Sequence, residues 1–310
     1  MTQIGKDGLI LAAEINPYPL LKELEPQIEA LFEQHKEASR KRDWGYRKFL
    51  PHPLEMKAYW GDPRERPPLS QVAYQTVMMA NLTEQNLPWY VRGLAELFKT
   101  APPSLNEFLN WWTAEESQHS ALFDSYLYFT NNGDHEERQT LVRDTLRRGW
   151  ETDIEYPFQI ICYVAIQEQT TYAFYVCAAN VLKEEDPKLA QAFLQVAGDE
   201  ILHMKFYREI VKLHIEAAPE YINPLAWEML YFEMPGQVMP DYKERSRFLA
   251  KHGIFGPEHF YHYVVSTMWK EWDITKHLPF LKEELRERLL KFRNILEKRY
   301  NRSAFASTRR

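Results

Sequence analysis

The chain has 310 residues and a formal net charge of −6, from 38 Lys and Arg against 44 Asp and Glu, a balance that argues against general nucleic-acid binding. Glycine is scarce at 11 residues, about half the usual share of roughly 7%, whereas parallel α/β nucleotide binders and β-sandwiches use it freely in tight turns. Hydrophobic residues at 45% beside 26% charged, with 14% aromatic, describe a soluble globular chain rather than a disordered one.

The N-terminal stretch has a short apolar patch, one early Lys and no convincing cleavage site, so it does not read as a signal peptide. Residues 1–17 are expected to form a flexible tail. Leu21, Leu24, Ile28, Leu31 and His35 keep a helical rhythm, and Pro26 predicts a kink or a late start there. Residues 43–69 hold Pro51, Pro53, Pro63, Pro67 and Pro68 and read as an irregular connection. A helical pattern then runs from about Ser70 to Lys99, interrupted at Pro88. Ser104 and Glu107 have the spacing of a capping box, so the next helix is expected to open there, reach about Thr130 and end at Asn132-Gly133. A shorter polar helix follows over 134–149. Two long helical segments come next, over 154–183 and 187–217, parted by Asp186-Pro187. Shorter helices are predicted over 222–231, 241–252, 257–272 and 278–300, with 301–310 as a frayed tail.

No strand alternation and no domain-splitting linker is visible, and no run approaches the roughly 18–20 apolar residues that cross a membrane. Cys162 and Cys177 share one apolar helical segment at a spacing that cannot bridge, so they read as reduced core residues of a cytoplasmic protein. The pattern predicts an all-α chain, 1–310 as one domain, with four long helices in a bundle and further helices packed around it.

Two Glu-x-x-His motifs stand out, Glu116-Ser-Gln-His119 and Glu200-Ile-Leu-His203. Residues three apart share a helix face, so each pair can bind one ion together. Both pairs fall on apolar stripes: Leu105, Leu109, Trp112, Glu116, His119, Phe123, Tyr126 in the first, and Leu189, Phe193, Val196, Glu200, His203, Tyr207, Ile210 in the second. Unpaired charges buried there are costly, and a cation removes the conflict. Glu84 and Glu168 interrupt two further stripes. Glu84 stands 32 residues before Glu116 and Glu168 stands 32 before Glu200, so the chain reads as a duplicated helix hairpin with three ligands per copy. A Glu from each of two helices, plus Glu-x-x-His from each of two others, is the ligand set of ferritin-like di-iron or di-manganese bundles. Four carboxylates offset the charge of two divalent ions, and without metal they could not all stay ionised in one dry site. Oxygen and imidazole ligands without thiolate suit iron or manganese better than structural zinc. The competing reading makes some of the six ordinary buried ion pairs.

At these residues the chain resembles the soluble acyl-acyl-carrier-protein desaturases, the bacterial type in particular. The resemblance runs from about Leu24 to Trp272. It is carried by FLPHP (49–53), LTEQNLPWY (82–90), WTAEESQH (112–119), QEQTT (167–171), DEILHMKFYRE (199–209) and MPG (234–236). It implies a homodimer of ferritin-like four-helix bundles with additional N- and C-terminal helices, two iron ions per subunit, and O2 as co-substrate. It also implies an acyl chain delivered on acyl carrier protein into a tunnel beside the irons, and two electrons from ferredoxin or a similar donor. Two hydrogens leave adjacent carbons, and a cis double bond remains. Unactivated C–H bonds need a metal-based oxidant, which no side-chain acid or base supplies, and a dry tunnel protects it from solvent.

Carried over position by position, the resemblance makes Glu84, Glu116, His119, Glu168, Glu200 and His203 the iron ligands. It links Thr171 to proton delivery during oxygen activation, makes Asp199 the acid that orients a ligand His, places Trp44 on the electron path, and sets Thr83 at the border of the oxygen site. Plainer readings stand beside these: Thr171 bonded back to a helix carbonyl, Asp199 on a solvated face, Trp44 in simple packing. The first motif departs from the commonest family pattern, with Ser-Gln and then Ser120 where Asn-Arg and Gly are usual, and the second carries Ile-Leu. The substrate, regiochemistry and donor therefore stay open.

Carrier protein and ferredoxin are acidic, so an acidic enzyme needs a local basic face to meet them. One candidate is Lys36, Arg40, Lys41, Arg42, Arg47 and Lys48, interrupted by Glu37 and Asp43; another is Arg143, Arg147 and Arg148. Solvated faces are the plainer reading of both. His259-x-x-His262 has metal-ligand spacing but no Glu template beside it. Two other functions fit the same ligand set: another di-iron oxygenase, such as an N-oxygenase or hydroxylase, and iron storage, which the C-terminal helices argue against.

Overall fold

A computed structural model describes residues 18–42, 44–64 and 67–303; the expected tails over 1–17 and 304–310 lie outside the described residues, as does Asp43. Among the described residues all regular structure is helical. The principal helices are α1 (Glu25–Arg40), α2 (Gln71–Gln85), α3 (Leu87–Leu97), α4 (Pro103–Phe129), α5 (His135–Arg148), α6 (Pro157–Leu182), α7 (Pro187–Ala217), α8 (Ile222–Tyr231), α9 (Tyr242–Lys251) and α10 (Glu283–Arg302).

Proline explains where many of these begin. Pro26, Pro88, Pro103, Pro157 and Pro187 sit in the first turn of α1, α3, α4, α6 and α7, where a missing N–H has no partner to lose. Pro26 therefore marks a late start and no kink, and Pro88 opens a new helix after a break at Asn86. The capping box expected at Ser104 does not form. The helix opens one residue earlier, at Pro103, and the Ser104 hydroxyl is buried inside the first turn with no hydrogen-bond partner. The fixed φ of Pro103 sets the entry angle in place of a cap. The segment 43–69 is less irregular than its prolines suggest: it holds a 3₁₀ turn, Tyr46–Phe49, and a short helix, Pro53–Tyr59, opened by a His52–Glu55 capping box. At the other end α10 continues through Arg302, so Asn301 and Arg302 belong to the helix and not to a tail.

α6 lies along α7, α2 packs on α4, and α1 lies across both α4 and α7; α8 covers α6, and α10 packs on α8. On the long helices the buried apolar residues form two clusters. One gathers Leu105–Trp112 of α4, Phe158–Ile166 of α6 and Phe206–Ile215 of α7. The other gathers Leu122–Leu127, Phe174–Leu182 and Leu189–Ala197 of the same helices, with Ala73–Leu82 of α2. The acidic and histidine residues singled out from the sequence occupy the gap between the two clusters on α4, α6 and α7.

Candidate metal centre

Glu84 comes from the last turn of α2, Glu116 and His119 from α4, Glu168 from α6, Glu200 and His203 from α7. All six are buried. The structure brings them together as two overlapping groups. Ligand atoms of Glu84, Glu116, His119 and Glu200 lie within 4.8 Å of one another, and so do those of Glu116, Glu168, Glu200 and His203. Glu116 and Glu200 belong to both, as expected of carboxylates shared between two ions. Each imidazole turns Nδ1 inward. His119 Nδ1 is 3.2 Å from Glu116 Oε2 and 3.4 Å from Glu200 Oε1, and His203 Nδ1 is 3.0 Å from Glu116 Oε1.

The electrostatics of this cluster fit cations. Glu168 Oε2 and both oxygens of Glu200 are buried with no hydrogen-bond partner, a costly state for polar atoms unless an ion meets them. Burial, reinforced by Glu116 and Glu200, pushes the Glu84 carboxyl well above its ordinary range. Burial and Glu200 do the same to Glu168. Burial opposes charge on His119 and His203, yet the carboxylates around them outweigh it and raise both. Protons and cations are thus drawn to the same place.

Around the six runs a hydrogen-bonded shell. His119 Nε2 is 3.2 Å from Asp199 Oδ2, which accepts from Trp44 Nε1 at 2.7 Å. Asp199 and Trp44, both singled out by the resemblance, are therefore joined to a candidate ligand. Arg42 turns inward as well, its Nε donating to Asp199 Oδ1 at 3.1 Å and its guanidinium to the Gln195 carbonyl at 2.9 Å. This takes Arg42 out of the exposed basic run. Gly198 permits the approach, since a Cβ there would fall 1.8 Å from the guanidinium. On the other side, His203 Nε2 is 2.9 Å from Glu115 Oε2, which also meets His35 Nε2 at 3.1 Å. Such anchors fix the tautomer and ring orientation of a ligand histidine. Sequence reasoning missed Glu115, although the signal was present: each motif is preceded by an acid, Glu115-Glu116 and Asp199-Glu200. It also missed two donors to candidate ligand carboxylates, Tyr175, whose hydroxyl donates to Glu84 Oε1, and Trp112, whose indole N–H donates to Glu168 Oε1 at 3.0 Å.

Thr83 and Thr171 both donate to carbonyls one turn back, Met79 at 2.9 Å and Gln167 at 3.0 Å. Both also line a small, largely apolar cavity of about 140 Å³ with Phe174, Tyr175 and Gly236. His259 and His262 are not brought to a metal group among the described residues. His259 Nδ1 accepts from the Gly256 N–H at 3.1 Å, and His262 stacks on Tyr300. In the basic runs, Lys41 pairs with Glu37 at 2.9 Å and Arg147 with Asp144 at 3.5 Å. Cys162 and Cys177 are buried and form no disulfide.

With this geometry in place, the comparisons are direct. The family profile described as fatty acid desaturase matches residues 17–309. The chain belongs to the fatty acid desaturase family. DesA1 of Mycobacterium tuberculosis (strain H37Rv), named as an acyl-[acyl-carrier-protein] desaturase, is 29% identical over 298 residues, which cover 90% of this chain and 86% of DesA1. The chloroplastic stearoyl-[acyl-carrier-protein] 9-desaturase 5 of Oryza sativa subsp. japonica is 27% identical over 220 residues, covering 67% of this chain and 56% of that protein. The solved structure of DesA2 from M. tuberculosis H37Rv superposes with a TM-score of 0.61 at 21% identity, over 84% of this chain and 98% of DesA2. This desaturase-family chain thus has an all-α, ferritin-like fold and is an oxidoreductase by class. Among its described residues no helix is long and apolar enough to cross a membrane.

Proposed function

We propose that this chain is an acyl-[acyl-carrier-protein] desaturase holding two iron ions through Glu84, Glu116, His119, Glu168, Glu200 and His203. The observation that carries the reading is the pair of ligand groups sharing Glu116 and Glu200, close to the cavity that Thr83, Thr171 and Tyr175 line. Bound there, two iron ions would supply the O2-dependent, two-electron oxidising chemistry by which two hydrogens leave adjacent carbons of the acyl chain and a cis double bond remains. The chain's residues set the conditions. Asp199 and Glu115 orient the two imidazoles, and Tyr175 holds Glu84. The Thr83 and Thr171 oxygens present polar groups where a proton can be held beside an otherwise apolar space.

The same reading includes a single functional domain, a homodimer, and ferredoxin or a similar one-electron donor. Two buried cysteines that form no disulfide suit a reducing, cytoplasmic setting. An exposed basic face of Arg40, Lys41 and Lys48 suits acidic partners. The test is aerobic turnover of the iron-loaded chain with a panel of acyl carrier protein thioesters, ferredoxin and its reductase, read by mass spectrometry. One or more thioesters are expected to lose two hydrogens. Hydroxylated or N-oxidised products without such loss would replace this reading with another di-iron oxygenase.

A further inference from the structure

Each ligand histidine is the inner end of a hydrogen-bonded series that leads outward through a carboxylate to an indole. In the first, His119 Nε2 meets Asp199 Oδ2 at 3.2 Å, and the other partner of that oxygen is Trp44 Nε1 at 2.7 Å. In the second, His203 Nε2 meets Glu115 Oε2 at 2.9 Å, and Glu115 Oε1 accepts from Trp111 Nε1 at 2.8 Å. His119 and His203 are 84 residues apart, and so are Glu115 and Asp199, so the histidine and carboxylate of the two series are counterparts in the duplicated hairpins. They are exchanged between copies: the acid of α4 serves the histidine of α7, and the acid of α7 serves the histidine of α4. The indoles have no such kinship. Trp44 lies after α1, and Trp111 is one turn before Glu115 on α4. Two unrelated positions have nonetheless placed an indole N–H on each acid.

Both series end at one place. Trp44, Trp111, Asp199 and Glu115 line a single cavity of about 920 Å³, with Lys36 and Arg40 at its side. Arg40 stands over the Trp111 ring at 5.5 Å. An anchoring role for Glu115 is already met by His35, Ser39 and His203. It leaves unexplained why an indole at the cavity wall reaches the same carboxylate.

We propose that Trp111 and Glu115 form a second electron-entry path, serving the ion held by His203, while Trp44 and Asp199 serve the ion held by His119. The proposal rests on the desaturase reading, in which an iron–sulfur carrier gives up one electron at a time and two are needed per turnover. One electron passes along each path. Two carrier molecules are each oxidised by one electron, and each metal ion is reduced by one. No bond breaks in Trp111, Glu115 or His203.

The experiment is anaerobic stopped-flow reduction of the iron-loaded full chain, followed by the loss of ferric absorbance. The reductant is reduced plant-type ferredoxin in one series and dithionite, small enough to enter the cavity, in the other. Wild type, Trp44→Phe, Trp111→Phe and the double variant are compared at equal iron content. Each single variant is expected to become biphasic with ferredoxin, one half of the amplitude slowing by about tenfold or more, and the double variant to slow throughout. Dithionite rates are expected to stay at the wild-type value. A Trp111→Phe chain that is monophasic and as fast as wild type, with the double variant no slower than Trp44→Phe, overturns the proposal. Equal slowing with both reductants also overturns it, because Trp111 would then only position Glu115. Should the Phe variant lose iron, Trp111→Leu takes its place with the same outcomes. A wild-type chain that dithionite reduces but no iron–sulfur carrier reduces overturns the donor assignment itself, a result distinct from failure at Trp111 alone.

Discussion

Both carboxylate oxygens of Glu200 are buried without a hydrogen-bond partner, between two histidines and three other acids. In the proposed di-iron site, removing that side chain takes a shared ligand from both ions. Glu200→Ala is expected to fold, because a buried polar group without a hydrogen-bond partner is deleted, and to lose most of its iron, measured as metal per chain after reconstitution. Retention of two irons would refute the assignment. Glu228 makes a different case. It is buried beside Gln159, whose Nε2 donates to it at 2.6 Å, and burial pushes its carboxyl up to about 7. The folded value lies above the ordinary 4.5, so its contribution to stability is full below that pH and is lost as pH rises through about 7. At 1.36 kcal/mol per unit the loss is of order 3 kcal/mol. Glu228→Gln cannot ionise, so its urea unfolding should change less between acidic and alkaline pH than that of wild type. Identical pH profiles would show that the site does not hold a neutral acid. These residues also mark what was readable. The six candidate ligands showed themselves because charged groups interrupt apolar stripes, an anomaly local to each helix. Glu115 sits off the stripe, and its histidine partners are 80 and 88 residues away, so no local pattern separates it from a solvated glutamate.

Helices were legible to within three residues where apolar period and proline agree, as in α6, α7 and α8. They were not where a rule of thumb competed with another. Ser104 and Glu107 have capping-box spacing, but Pro103 starts the helix first. The short helix Pro53–Tyr59 was hidden by the prolines that flank it. Within the predicted helix over 257–272, residues Phe260–Val265 form a π turn, and hydrophobic period does not distinguish that from an α-helix. Gln169, next to Glu168, donates to the Tyr263 carbonyl in this turn at 2.9 Å, so the turn braces the helix that carries a ligand. The junction of α6 and α7 gives a clean test. Asp186 caps α7 by accepting from the Leu189 N–H at 2.8 Å and also takes the Tyr126 hydroxyl. Asp186→Ala is expected to cost about 1–2 kcal/mol, seen as a lower Tm, with iron content unchanged because Glu200 lies several turns away. A loss of iron matching the loss of stability would contradict that separation.

The chain as a whole, of net charge −6, encloses a dry centre that holds four of its carboxylates. Two apolar clusters close the centre from either side along the bundle, and the charged partners of the proposed reaction must meet it from outside. Arg42 cannot be counted in their docking face, since it is spent on Asp199. Arg40 and Lys41 are exposed. Reversing these two to Glu is expected to raise the apparent KM for acyl carrier protein several-fold with little change in kcat, an effect that fades as salt is added. An unchanged KM at low salt would move the docking face elsewhere, Arg143, Arg147 and Arg148 being the next candidates.

The duplicated hairpins are close copies in their ligands but not in what surrounds them. Asp199 shares its charge with the permanently cationic Arg42, whereas Glu115 is met by His35 and Ser39 and carries one more methylene. Two iron ions bound by matching sets of carboxylate and imidazole would therefore sit in unequal fields. The iron-loaded chain should give two distinct Mössbauer doublets in place of one, and Arg42→Gln should draw them together. The two halves of the repeat thus hold candidate sites with separate surroundings, so that a substitution beside one need not alter the other.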